Sequence, residues 1–233
     1  MIVGKHFTIL TLYNGQIKGK ICYMKENKYS IYFVAISLFF VTSLLTANIV
    51  SVKSVVFFKT ILPAGILVFP ITYILGDVLS EIYGYEITKK VIWLGFLANI
   101  LFVFISYIVL LAPYPNFWGN QYAYEIIFGF TPRILIASLI AYLIGSSINA
   151  YSLVKIKDYT NSRCLWVRTI ASTIIGEGLD SLIFITVAFF GVFPTTQIAT
   201  IILNQWVIKV AYEVLATPIT YKIINYIKKM EAK

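Results

Sequence analysis

Six apolar runs, each long enough to cross roughly 30 Å of hydrocarbon, constrain this chain more than anything else in it. They cover Ile31–Val50, Ala64–Tyr83, Val91–Ala112, Ile134–Val154, Thr169–Phe190 and Ile198–Tyr221. In a bilayer the backbone must satisfy its own hydrogen bonds, so such runs become helices unless they alternate as barrel strands do. None of them alternates. The expected fold is all-α: a polytopic membrane protein with a bundle of six transmembrane helices. Composition agrees, because 59% of the 233 residues are hydrophobic and only 12% are charged. That is too little polar material to cover a water-soluble domain. The expected organisation is an N-terminal cytoplasmic extension over residues 1–30, a transmembrane domain over 31–221 and a basic cytoplasmic tail over 222–233. The first run has no small-residue cleavage site after it, and a basic, Tyr-containing stretch precedes it. It therefore reads as a retained span and not as a signal peptide. Residues 1–23 read as unstructured, which makes Met24 an alternative start.

Lysine and arginine set the orientation. With both ends cytoplasmic, the inner side holds Lys5, Lys18, Lys20, Lys25, Lys28, Lys89, Lys90, Lys155, Lys157, Arg163, Arg168, Lys222, Lys228, Lys229 and Lys233. That is fifteen of the nineteen basic residues. The outer side receives Lys53, Lys59 and Arg133. The aromatic loop YPNFWGNQYAYE, from Tyr114 to Glu125, suits an outer interface. The net charge of +9 thus reads as membrane orientation, and no nucleic-acid partner is expected. Cys22 and Cys164 both fall on the predicted cytoplasmic side, where a disulfide does not persist. The single histidine, His6, leaves no metal-ligand cluster, and no phosphate-binding loop of the Walker type is present. No cofactor and no metal are expected, and transport, not catalysis, is the expected activity. Energy would come from an ion gradient, the substrate's own gradient, metabolic trapping or a partner ATPase.

Five of the ten acidic residues lie inside the apolar runs: Asp77, Glu81, Glu177, Asp180 and Glu213. Lys209 is the one base among them. Each such charge costs roughly 2.5–3.5 kcal/mol near the centre of a span. Residues of this kind normally face the bundle interior and pair with each other or a ligand. Helical spacing puts Asp77 with Glu81, Glu177 with Asp180, and Lys209 with Glu213 on common faces. Three polar stripes at near one level are expected to converge on one central site. Bland readings stand beside this one. Glu81 can sit at the cytoplasmic interface and pair with Lys89 or Lys90. Lys209 and Glu213 can neutralise each other at i,i+4. Asn99, near the middle of the third run, suits an interhelical hydrogen bond as well as a ligand contact. Glu177 and Asp180 have no base nearby in sequence.

The second run carries Pro63, Gly65 and Pro70. Either it is a loop ending at Pro63 followed by one proline kink, or it is a discontinuous segment lining a pathway. GDVLSE from Gly76 and GEGLDS from Gly176 echo each other at matching places in a three-plus-three split. An inverted repeat would produce this, and so would chance.

The block ANIVSVK…LPAGILVFPITYILGDVLSEIYGYEITKKVIWLGFLAN resembles the signature of the queuosine precursor transporter family, also called the vitamin uptake transporter family. LWVRTIASTIIGEGLDSLIFITVAFFG and KVAYEVLATPITY resemble its later blocks, in order and at the right spacing over about residues 30–225. The resemblance implies a multi-pass inner-membrane importer of 7-deazaguanines: 7-cyano-7-deazaguanine, its 7-aminomethyl form or queuine, salvaged for tRNA modification. By that pattern Asp77, Glu81, Arg168, Asp180 and Lys209 carry over as site residues. Glu177 departs from it, since a neutral polar residue such as Gln is common there. The full expected substrate-binding set is Asp77, Glu81, Asn99, Arg168, Glu177, Asp180, Lys209 and Glu213. A 7-deazaguanine presents an N1–H and 2-amino pair to a carboxylate, an O6 acceptor and a flat face for stacking. Expected partners are that small molecule, the lipid bilayer and, as an open alternative, further copies of the chain.

Two other readings compete. A substrate-binding membrane subunit of an ATP-driven vitamin-type importer would dock on a partner helix through small residues such as Ala35 or Gly145-Ser146-Ser147. An intramembrane aspartyl protease would use Asp77 and Asp180 as a dyad. Against it, Ile74-Leu75-Gly76-Asp77 lacks the first glycine of the presenilin-like signature, and Gly176-Glu177-Gly178-Leu179-Asp180 has an extra residue.

Overall fold

The computed structural model describes residues 8–13, 16–21, 30–57, 60–159 and 165–231; side chains of residues 8–13, 16–21, 150, 153, 154, 157–159 and 165–170 lie outside that description. The chain divides into two units, Met1–Ile31 and Tyr32–Lys233. The first contains an antiparallel hairpin of β1 (Thr8–Tyr13) and β2 (Gln16–Ile21), with Tyr13 opposite Gln16. This corrects the unstructured reading of residues 1–23. Asn14-Gly15 between two alternating segments is a strong sequence signal for a hairpin. Cys22, Cys164 and His6 lie outside the described residues.

The second unit is built on six helices among the described residues: α1 (Ile31–Val50), α2 (Phe69–Tyr83), α3 (Tyr85–Leu111), α4 (Gln121–Tyr159), α5 (Leu165–Phe189) and α6 (Thr195–Glu231). All but α2 are long and apolar enough to cross a membrane. The first expected span coincides with α1, and the last four lie inside or nearly inside longer helices. Hydropathy marks where a helix meets hydrocarbon and is blind to its continuation into water; α4 and α6 run to 39 and 37 residues.

The second run departs furthest from a simple span. α2 has 15 residues, about 22 Å at 1.5 Å per residue, which is short of the hydrocarbon thickness. The residues before it form a hairpin, β3 (Ser54–Phe57) with β4 (Thr60–Pro63), and then a 3-10 turn over Ala64–Leu67. Pro70 kinks nothing. It stands in the first turn of α2, where a missing N–H costs no helical hydrogen bond. Helical structure is interrupted before Phe69, and the kink at Pro70 that one of the two readings expected is absent. Gly65 is required by packing, since a Cβ there would collide with the Ser51 hydroxyl and lie 2.7 Å from the Ala47 carbonyl oxygen. At the other end Gly84 alone joins α2 to α3, with φ 83° and ψ 161°, a conformation essentially restricted to glycine.

Two buried apolar clusters hold the bundle. One, near the α5–α6 turn, includes Leu62, Ile134, Ile185, Phe189 and Ile201. The Arg133 guanidinium closes that end by donating to the Val187 carbonyl at 2.9 Å and to that of Phe190, capping the last turn of α5. The other cluster, near the α2–α3 turn, includes Ile36, Phe40, Val78, Leu79, Val91, Ile224 and Ile227. The C-terminal extension of α6 is thereby packed on α1 and α2. Small residues set the closest helix crossing. A Cβ on Gly176 would lie 2.7 Å from Asn149 Cβ, and one on Gly145 would lie 3.0 Å from Asp180 Cβ. Glycine at both positions lets α4 and α5 approach backbone to backbone. Gly145, considered above as a docking residue for a partner helix, is spent inside the bundle.

Candidate functional site

A cavity of about 320 Å³ lies within the second unit. α1 lines it from Phe40 to Asn48, and Ser51 just beyond α1 joins them. The segment before α2 contributes Pro63 and Gly65, and α2 adds Phe69, Tyr73, Gly76 and Asp77. α4 supplies Tyr142 and Asn149, α5 supplies Gly176, Glu177, Asp180 and Phe184, and α6 supplies Gln205 and Lys209. Volumes of this size hold small ligands.

Lys209 organises the polar part of the wall. It is 4% exposed, and its ammonium hydrogen-bonds Asp180 and lies 3.3 Å from Glu177 Oε2. The same ammonium stands 4.2 Å from the centre of the Phe69 ring, a cation–π contact. Burying an ammonium this deeply is tolerable only with such a complete set of partners. Close approach of α5 and α6 makes the set reachable. Trp206 Nε1 donates to the Ile174 carbonyl at 2.9 Å, and a Cβ on Gly178 would lie 3.3 Å from the indole. Lys209 is thus paired across to α5 and not along its own helix to Glu213.

Of the expected site residues, Asp77, Glu177, Asp180 and Lys209 line one cavity. Both members of the short echo, Gly76-Asp77 and Gly176-Glu177, are in that wall. The others stand apart from it. Glu81 is exposed and pairs with Lys228 at 2.8 Å, not with Lys89 or Lys90. Tyr83 makes a second link between the same helix ends, donating to Glu231 at 2.6 Å. Asn99 is buried, accepts from Asn48 Nδ2 at 2.9 Å and donates to the Gly95 carbonyl at 2.9 Å. It ties α3 to α1 next to the cavity, because Asn48 is a lining residue. Glu213 is half-buried near Thr173, with Oε2 lacking a hydrogen-bond partner. Arg168 is on α5, but its side chain lies outside the described residues. Among the described residues no group of three His, Cys, Asp or Glu side chains is placed to hold a metal.

Three lining amides escaped the sequence reading: Asn48, Asn149 and Gln205. Attention to charge alone passed over neutral amides. Gln205 had a legible signal, since it is one helical turn from Lys209 and so shares its face. Asn149 had none, because only the Gly145–Gly176 crossing brings it to the site. Its Oδ1 is buried without a hydrogen-bond partner, as is Glu177 Oε2.

The wall therefore offers three carboxyl groups, one saturated ammonium, neutral amides with unused capacity and aromatic faces. Such a set can hold a flat, polar, donor-rich molecule by hydrogen bonds and stacking. The family model described as "Putative vitamin uptake transporter" matches residues 63–223. A Bacillus subtilis protein named "Probable queuosine precursor transporter" is 32% identical over 176 residues, covering 75% of this chain and 77% of the relative. The Escherichia coli "Queuosine precursor transporter" is 27% identical over 126 residues, 54% of each chain. No solved structure matches significantly.

Proposed function

Because this chain belongs to the vitamin uptake transporter family, we propose that it imports queuosine precursors across the cytoplasmic membrane for tRNA queuosine salvage. The cargo is a 7-deazaguanine: the 7-cyano form, the 7-aminomethyl form or queuine. The observation that carries this reading is the buried Lys209–Asp180–Glu177 cluster in the wall of a cavity that also holds Asp77. Carboxylates inside a membrane bundle mark substrate pathways, and here they stand beside aromatic faces suited to a fused ring.

In this reading the chain crosses the membrane six times. The β3–β4 hairpin, the 3-10 turn and α2 together make the second crossing, as broken spans do around transporter sites. Both ends are cytoplasmic, by the distribution of lysine and arginine. Asp77 and the α5 carboxylates accept the N1–H and 2-amino donors. Lys209 keeps those carboxylates ordered, Asn99 and Glu213 support the wall from behind, and Glu81 serves the link to Lys228. Arg168 stays a candidate at the cytoplasmic side.

The test is complementation. The chain is expressed in a strain unable to make or import queuosine precursors, each precursor is supplied at low concentration, and queuosine in tRNA is measured. Rescue by at least one precursor is expected. No rescue by any of them, with the protein verified in the membrane, would sink the assignment.

A further inference from the structure

The cavity wall is unbalanced in charge. Among the described residues it holds three carboxyls, Asp77, Glu177 and Asp180, and one cation, Lys209. Lys209 is already committed to α5, since its ammonium hydrogen-bonds Asp180 and lies 3.3 Å from Glu177 Oε2. Glu177 is 9% exposed, and that buried oxygen still has no hydrogen bond. Asp77 is placed differently. It opens onto the cavity from α2, and none of the described ion pairs includes it. Glu213, behind the wall and within electrostatic reach of Asp77 and Glu177, is a fourth carboxyl and not a second cation. One ammonium cannot neutralise this set. Charge left uncompensated inside a membrane bundle is costly unless a partner or a ligand meets it.

We propose that the missing partner is a positive charge on the cargo itself: the site selects a 7-substituent bearing an ammonium over a neutral one, with Asp77 as the counter-ion. A neutral deazaguanine brings N–H donors but no charge, so the surplus stays however the ring lies. An aminomethyl arm is a primary ammonium. It cancels part of the surplus through a charge-assisted hydrogen bond, roughly twice as strong as a neutral one. The three carboxyls then divide the work. The α5 pair, ordered by Lys209, takes the ring donors. Asp77, on another helix and unpaired with Lys209, takes the arm. Among the cargoes named above, the aminomethyl form is therefore favoured over the cyano form. This inference rests on the import reading, and its test separates the two.

The purified full chain in detergent is titrated at neutral pH with three 7-deazaguanines that differ only in the 7-substituent: cyano, aminomethyl and hydroxymethyl. The hydroxymethyl arm matches the aminomethyl arm in size and can hydrogen-bond, but it is uncharged. Wild-type protein is expected to bind the aminomethyl compound on the order of tenfold more tightly than either neutral one, the gain of a charged over a neutral hydrogen bond. Asp77→Asn keeps the shape, removes the charge and should bring the aminomethyl-to-hydroxymethyl ratio close to one. Asp77→Glu keeps the charge and should retain most of the preference. A wild-type ratio near one would overturn the proposal, and so would a wild-type preference that survives in Asp77→Asn. If added sodium raises affinity for the cyano compound to that of the aminomethyl one, a separate cation meets the surplus and the proposal falls. In each of these cases binding of the neutral compounds leaves the import reading standing. Failure of wild-type protein to bind any of the three, or queuine, would overturn that reading itself, and this inference with it.

Discussion

Removing the Lys209 ammonium tests the central geometry most directly. Lys209→Met keeps an unbranched side chain of similar length and deletes only the charge. Glu177 and Asp180, neighbours on one face of α5, are then left against α6 with no counter-charge, and Glu177 Oε2 already lacks a hydrogen bond. Taking one partner from a buried ion set costs about 3–5 kcal/mol. Lys209 is 4% exposed and the Glu177 side chain 12%, so solvent screening does little to reduce that figure. It is a large share of the roughly 5–15 kcal/mol that holds a typical protein folded. Chemical unfolding of purified protein in detergent should show the loss directly. Combining Lys209→Met with Glu177→Gln and Asp180→Asn should restore most of the stability, because a neutral, hydrogen-bonding wall leaves no charge uncompensated. Uptake should be lost in the single and the triple variant alike, and in Asp180→Ala. A single variant within about 0.5 kcal/mol of wild type, the range of surface substitutions, would refute the buried-cluster reasoning. Undiminished uptake from Lys209→Met or Asp180→Ala would refute its role in transport.

Gly176→Ala should force α4 and α5 apart at the Asn149 contact and destabilise by about 1–3 kcal/mol, as overpacking does. Thermal melting combined with uptake would show this, and an unchanged melting curve would mean that the close crossing is wrongly placed. Glu81→Gln breaks only the exposed pair with Lys228 and should cost under about 1 kcal/mol with uptake intact; abolished uptake at normal expression would put Glu81 back in the site. Asn99→Leu removes the tie to Asn48 and should cost about 0.6–1.7 kcal/mol, the range measured for interhelical hydrogen bonds in a membrane bundle. A stability gain would contradict that role.

Much of this was legible beforehand because hydrophobicity acts locally. A run of twenty apolar residues such as Ile31–Val50 must become a helix in lipid whatever surrounds it, and α1 has those limits. Asp77, Glu177, Asp180 and Lys209 stood out for the same reason, since a charge inside hydrocarbon needs a cause that can be named from sequence. The β3–β4 hairpin was not legible. Its two four-residue strands lie before the expected run Ala64–Tyr83 and exist only through their pairing with each other, which hydropathy does not report.

Sequence alone determined the class of molecule, the positions of its membrane-compatible helices and the residues too costly to bury without a purpose. Only the tertiary structure decided how those residues are matched. Spacing along α6 offered Glu213 as the partner of Lys209, whereas the folded chain gives it Asp180 and Glu177. Spacing offered Lys89 or Lys90 to Glu81, and the fold supplies Lys228. The same is true of Gln205 and Asn149, neutral residues whose importance appears only once their surroundings are known. Hydropathy is a property of each segment by itself. Pairing depends on which helix faces meet: Gly178 beside Trp206 lets α6 approach α5, and Gly145 and Gly176 let α4 approach it.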